Sequence, residues 1–167
     1  MITLYQAVLG AGQLRHTVAL VSRLGVGEIV QVVTDRCSGR ALDRAELQRI
    51  ATRTARGGRG APPAVGETVT FREALERSAG TPHRILCYER ETGGPDTRRA
   101  VSACADGRDV AVFIGPEGGF SPEEVRDARD AGCEIITLGP RILLARDAAA
   151  VALAWVSYET EIGGERQ

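Results

Sequence analysis

Residues 110–124 read Val-Ala-Val-Phe-Ile, then Gly115-Pro116-Glu117-Gly118-Gly119-Phe120, then Ser121-Pro122-Glu123-Glu124. Five apolar residues in unbroken succession fit a strand covered on both faces, because a strand with one wet face would alternate. Gly118 and Gly119 lack a Cβ, so the chain can turn sharply there, take positive φ and let another group approach its main chain. Ser121 as N-cap, Pro122 at the first helical position and Glu124 at the third form a helix start. A buried strand, a glycine turn and a capped helix in direct succession are the makings of a β-α unit. They predict a parallel sheet with helices on its faces.

The rest of the chain repeats that alternation. Residues 2–8 and 28–34 read as strands, and residues 14–24 as a helix with Leu14, Val18, Val21 and Leu24 at helical spacing. Residues 43–56 form a polar, Arg-rich helix whose expected apolar contacts are Leu42 and Ile50, with Leu47 less certain in phase. The Gly-Gly-Arg-Gly-Ala-Pro-Pro stretch at 57–63 is a loop by composition rather than a domain boundary, since the alternation resumes beyond it. Thr70 and Glu73 make a capping-box pattern for a short helix over 70–78. Strands are expected at 84–89 and 134–138, a short helix at 99–105, and a mostly apolar helix over 144–157. The expectation is an α/β fold, one domain over residues 1–160 and a polar tail at 161–167.

Composition narrows the function classes. The formal net charge is -1, so nucleic-acid binding has no global electrostatic support and any basic surface is local. The 21 basic side chains are all Arg, which reads as genome composition before it reads as phosphate contact. Cys37, Cys87, Cys104 and Cys133 are scattered, and His16 and His83 stand at no ligand spacing. Neither a metal site nor a disulfide framework is expected. The N-terminus has no charged n-region and no stretch is long enough to span a bilayer, so the expected location is the cytoplasm.

Parallel sheets place ligand sites beyond the carboxyl ends of their strands. Three strand ends carry unusual loops: Tyr88-Glu89, the 115–119 turn, and Leu138-Gly139-Pro140-Arg141. The residues alone leave two readings of the 115–119 turn. It is either a small-ligand pocket lined by backbone groups, with a helix N-terminus beside it, or an ordinary tight βα turn.

The string FIGPEGGFSPEEV, followed after a helix by ITLGPRIL and an Ala-rich helix, resembles the C-terminal signature of the SPOUT superfamily. More narrowly it is similar to the RsmE family of bacterial methyltransferases, which act on uridine N3 of small-subunit ribosomal RNA. Weaker similarity reaches back to Leu24 and Val30. The resemblance implies a C-terminal trefoil knot, a departure from unthreaded connections, and a homodimer with each cofactor site close to the partner chain. It also implies that S-adenosylmethionine lies among three loops. Leu86, Tyr88 and Glu89 would belong to the first. Gly115, Glu117, Gly118 and Gly119 would form the second, and Leu138, Gly139, Arg141, Ile142 and Leu143 the third.

The resemblance has gaps on the acceptor side. RsmE proteins carry an N-terminal PUA-like RNA-binding domain, and this sequence is read as the knotted domain alone. A Lys-Gly-Asp-Arg-like stretch of the family stands here as Gly10-Ala11-Gly12-Gln13. A Glu-Gln-Ser-Gly-Arg segment stands as Arg56-Gly57-Gly58-Arg59-Gly60. Three functions follow as alternatives. The first is a ribosomal RNA methyltransferase, with Arg36, Arg40, Arg53, Arg56 and Arg59 touching phosphates. The second is a methyltransferase redirected to a small acceptor such as a free nucleoside. The third is a non-catalytic cofactor-binding or assembly subunit. Methylating an N–H also requires proton removal, for which Arg141, Arg146 and Asp147 are the polar candidates. Arg146 and Asp147 are equally well explained as a helix first turn.

Overall fold

The computed structural model describes residues 1–56, 61–89, 94–141 and 143–161. The elements run β1 Ile2–Ala7, α1 Ala11–Val21, β2 Val26–Val33, α2 Arg44–Ala55, β3 Ala64–Val65, β4 Val69–Thr70 and α3 Phe71–Arg77. They continue with β5 His83–Cys87, α4 Gly94–Ala103 and a 3-10 turn Cys104–Asp106, then β6 Val110–Ile114, α5 Pro122–Asp130, β7 Glu134–Ile136 and α6 Ala145–Glu161. Every strand pairing is parallel, in the order β3-β2-β1-β6-β5-β7, with β4 also on β2. The expected α/β class with a parallel sheet is therefore the observed one.

Strand parity sorts the core into two layers, because successive side chains leave opposite faces. Ile2, Leu4, Ile85, Val110, Val112, Ile114 and Ile136 face α1, α2, α4 and α6. Tyr5, Leu86, Ala111, Phe113 and Ile135 face α3 and α5. The second layer holds all three phenylalanines. Phe113 stacks on Tyr5 with centroids 4.6 Å apart, and Phe71 meets both Phe113 and Phe120, at 6.2 and 5.3 Å. Helices thus cover both faces, as the apolar run of β6 requires.

Both capping boxes form, Thr70 with Glu73 on α3 and Ser121 with Glu124 on α5. The structure departs from expectation where local pattern is weak. Strands β3 and β4 have two residues each, too few to show a period, and exist only through pairing with β2. Helix α4 starts five residues before its expected 99. Strand β7 stops at Ile136 because the next residue is diverted: the Thr137 N–H donates to Thr97 Oγ1 at 3.1 Å, and that hydroxyl lies 3.4 Å from the Thr137 carbonyl. Among the described residues no helix is long and apolar enough to cross a membrane.

The phase of α2 also differs. Leu47 and Ala51 are its buried residues, while Leu42 and Ile50 are only partly covered. Leu47→Ala should therefore cost about 2–5 kcal/mol, the range for emptying a closed core site. Ile50→Ala should cost clearly less; denaturant unfolding of the two variants checks the order.

Candidate functional site

Because all strands point the same way, their C-terminal ends share one edge of the sheet, and the loops there converge. A cleft of about 280 Å³ opens at that edge. Cys87, Tyr88 and Glu89 enter it from β5, the 115–119 turn from β6, and Thr137, Leu138, Gly139, Arg141 and Leu143 from beyond β7. Ala145 and Ala148 of α6 close one side, and Ile114 forms part of the wall. The three loops expected from the resemblance do meet around one cavity.

The glycines in this wall are there for measurable reasons. Gly119 has φ +68°, and a Cβ on it would lie 2.7 Å from Glu89 Oε1, so the β5 and β6 loops touch there. A Cβ on Gly115 would press on the Phe120 ring at 3.2 Å. Gly139 has φ +110° with nothing within 4 Å of its Cβ position. Thr137 Oγ1 braces that turn, accepting from the Gly139 N–H at 3.2 Å and lying 3.2 Å from its carbonyl oxygen.

A second set of contacts, from the loop after β2, fixes the 115–119 turn from outside. Arg36 Nη1 donates to the carbonyls of Gly118 at 3.0 Å and Phe120 at 3.3 Å. Asp35 Oδ2 accepts from Ser121 Oγ at 2.6 Å. The buried Glu124 carboxylate accepts from the N–H groups of Asp35 at 2.9 Å and Ser121 at 2.8 Å. Glu117 Oε1 accepts from the Gly10 N–H, and its Oε2 from Ser38 Oγ, both at 3.3 Å. Gly39 packs so closely on Leu9 that a Cβ would overlap the Leu9 carbonyl group. The Gln31 side chain grips both backbone groups of Leu42 at 2.8 Å, which holds the far end of the same loop.

The expected site residues divide as follows. Tyr88, Glu89, Gly115, Glu117, Gly118, Gly119, Leu138, Gly139, Arg141 and Leu143 line the cleft. Leu86 does not: strand parity sends its fully buried side chain into the α3–α5 layer, and its neighbour Cys87 takes the cleft position. Ile142 and Arg59 lie outside the described residues. Of the three polar candidates only Arg141 reaches the cleft. Arg146 and Asp147 sit in the first turn of α6 toward α1, where the Arg146 carbonyl accepts from Thr17 Oγ1 and Asp147 lies 3.9 Å from His16. Arg36, expected on phosphates, is exposed like Arg40, Arg53 and Arg56, but its guanidinium donates to the 115–119 turn.

Four residues escaped sequence reasoning. Cys87 lines the cleft, but burial pushes its thiol up to about 12, so it is neutral near pH 7 and supplies no thiolate. Ser38 and Gly10 carry no motif of their own. Gln6, a polar residue in an otherwise apolar strand, is fully buried beside Ile114, with no partner for Oε1 among the described residues. The described residues contain no group of three or more His, Cys, Asp or Glu placed to hold a metal.

Comparison with known proteins adds independent findings. A family model described as an RNA methyltransferase domain matches residues 1–157. The ribosomal RNA small subunit methyltransferase E of Rickettsia conorii is 25% identical over 158 residues, covering 93% of this chain and 63% of that protein. The structure of the Neisseria gonorrhoeae ribosomal RNA small subunit methyltransferase E, bound to S-adenosyl methionine, matches with TM-score 0.75 and 28% identity. That match covers 92% of this chain and 63% of the other. A Legionella pneumophila protein solved with SAM bound matches with TM-score 0.78 and 26% identity, over 93% of this chain and 64% of its own. The chain thus spans less than two thirds of the length of these relatives.

Glu124 offers a test of how the turn is held. Glu124→Ala leaves the buried Ser121 N–H and the part-buried Asp35 N–H without their acceptor and should cost about 1–3 kcal/mol, most of it from Ser121. Glu124→Gln, which keeps a carbonyl oxygen, should retain part of that; thermal or denaturant unfolding distinguishes the two.

Proposed function

The chain belongs to the RNA methyltransferase domain family, and we propose that it is an S-adenosylmethionine-dependent methyltransferase acting on a ring nitrogen of a uracil-type acceptor, namely uridine N3 of small-subunit ribosomal RNA. The observation that carries this reading is the convergence of the three loops after β5, β6 and β7 on one cleft with glycines at its closest approaches.

The residues present fit the cofactor. Ile114, Leu138, Leu143 and Ala148 offer apolar surface for a flat purine, while Gly115, Gly118 and Gly139 expose main chain to it. Glu89 and Glu117 supply carboxylates for hydroxyl or ammonium donors, and Arg141 a guanidinium for a carboxylate. Bound there, the cofactor supplies a methyl group already activated on a sulfonium sulfur. The protein's part is to hold acceptor and methyl in line and to keep water from the reacting pair. Arg141 is the one polar candidate of the original three that lines this space.

The homodimer implied by the family finds support on α6, where Trp155 is 36% exposed and Tyr158, one turn on, 47%. Apolar side chains on one helix face suit a second copy of the chain. We propose for the stretch between edge strand β7 and α6 the trefoil knot that the resemblance implies, supported by the packing of α6 against α1 and α4. A cytoplasmic location follows from the proposed ribosomal acceptor. A second reading, transfer to a free nucleoside or another small acceptor, draws on Arg36. Its guanidinium serves the 115–119 turn, leaving one fewer cation for phosphates.

Calorimetric titration should show S-adenosylmethionine binding to the wild type and its loss in Gly119→Val, where both φ and Glu89 oppose a side chain. No heat at about 1 mM ligand would remove the cofactor assignment. Labelled-methyl transfer should appear on 30S particles; transfer only to free uridine or uracil would support the small-acceptor reading. Binding without any transfer would leave a cofactor-binding subunit.

A further inference from the structure

The third wall of the cleft, Thr137 to Gly139, lies beyond the end of β7. The Ile136 carbonyl accepts from the Tyr88 N–H at 2.8 Å, and there the pairing of β7 with β5 ends. Both main-chain groups of the next residue turn to a helix instead. Thr97 Oγ1 of α4 accepts from the Thr137 N–H at 3.1 Å, and the same hydroxyl donates to the Thr137 carbonyl at 3.4 Å. A hydroxyl has one donor and two acceptor positions, so one side chain serves both groups of a residue, as a neighbouring strand would. Thr97 is buried, and its branched Cβ restricts χ1, which keeps Oγ1 in that place.

The bonds continue into the cleft. Thr137 lines it, and Thr137 Oγ1 accepts from the Gly139 N–H and donates to the Gly139 carbonyl, each at 3.2 Å. Gly139 stands at φ +110°, yet crowding does not impose that shape, since a Cβ there would meet nothing within 4 Å. Hydrogen bonds set the turn, in a relay whose far end is Thr97. Glycine loses more conformational freedom on ordering than any other residue, so an unbraced Gly139 would sample many shapes. The other polar tie between α4 and β7, Arg99 to Glu134 at 2.8 and 3.1 Å, is exposed and adds little.

We infer, on the methyltransferase reading above, that Thr97 is a positioning residue for the cofactor: it fixes the main chain of Thr137 and, through it, the Leu138–Gly139 main chain that borders the cleft. Thr97 does not itself line the cleft. Any effect it has on ligand affinity passes through Thr137.

The test on the full chain compares Thr97→Val, which keeps the shape and loses the hydroxyl, with Thr97→Ser, which keeps the hydroxyl, and Arg99→Met, which cuts only the exposed tie. Thr97→Ala is a second hydroxyl-free variant should Thr97→Val fold poorly. Calorimetry should show S-adenosylhomocysteine affinity falling on the order of tenfold in the hydroxyl-free variants, and staying within about threefold of wild type in the other two. In amide NMR of the ligand-free protein, the Gly139 resonance should shift or broaden in the hydroxyl-free variants and stay in place in Arg99→Met. Leu47→Ala, a remote core variant, is measured in parallel well below its unfolding temperature. An equal loss of affinity there would reduce the effect to general stability and overturn the inference. So would wild-type affinity without the hydroxyl, or a loss in Thr97→Ser as large as in Thr97→Val; either leaves the methyltransferase reading standing. A wild-type protein that binds no S-adenosylhomocysteine at about 1 mM sinks the cofactor reading, and this inference with it.

Discussion

Parallel pairing governs this molecule. A sheet in which every strand runs the same way must carry the chain back over its faces after each strand, so helices cover both sides and the strands become apolar throughout. The same constraint collects every strand's C-terminal end on one edge. Loops distant in sequence, after β1, β2, β5, β6 and β7, are thereby made neighbours without any of them needing to fold toward another. The cleft is a product of direction before it is a product of particular side chains.

On that edge the 115–119 turn is the central piece, because β6 lies between β1 and β5. Its inner surface faces the cleft, Phe120 roots it in the aromatic layer with Phe71, and Arg36, Ser38 and Gly10 hold it from the other side. Backbone carbonyls that would otherwise face water are spoken for by one guanidinium. The turn is thus bound to the elements on both sides of it, which is the condition for presenting main-chain groups at fixed positions.

Much of this was legible in the sequence where the signal is local. The run at Val110–Ile114, the capping boxes at Ser121 and Thr70, and the glycine turn each state their own conformation within a few residues. The three strand-end loops stood out by their residues and by the direction of a parallel sheet, but their reading as a cofactor site came only through similarity to a family, since nothing in Tyr88 or Leu138 by itself names a ligand. What stayed hidden depends on long-range facts. Whether Leu86 or Cys87 faces the cleft is decided by the phase of β5 against its neighbours. The strands β3 and β4 exist only as partners of β2. Arg36 looked like a phosphate contact because a surface arginine after a strand has no sequence mark distinguishing a brace from a free cation. Arg146 and Asp147 were polar candidates for the acceptor proton, but the entry into α6 turns them toward α1.

The bracing of one turn by the loop after β2 has a thermodynamic corollary. Arg36 and Ser38 contact the same five-residue turn that borders the cleft, so a change in the loop after β2 reaches the cleft wall without any residue of that loop lining it. Whatever that loop contributes to ordering the turn is a cost a ligand in the cleft no longer bears, and a ligand that orders the turn steadies the loop behind it by the same amount.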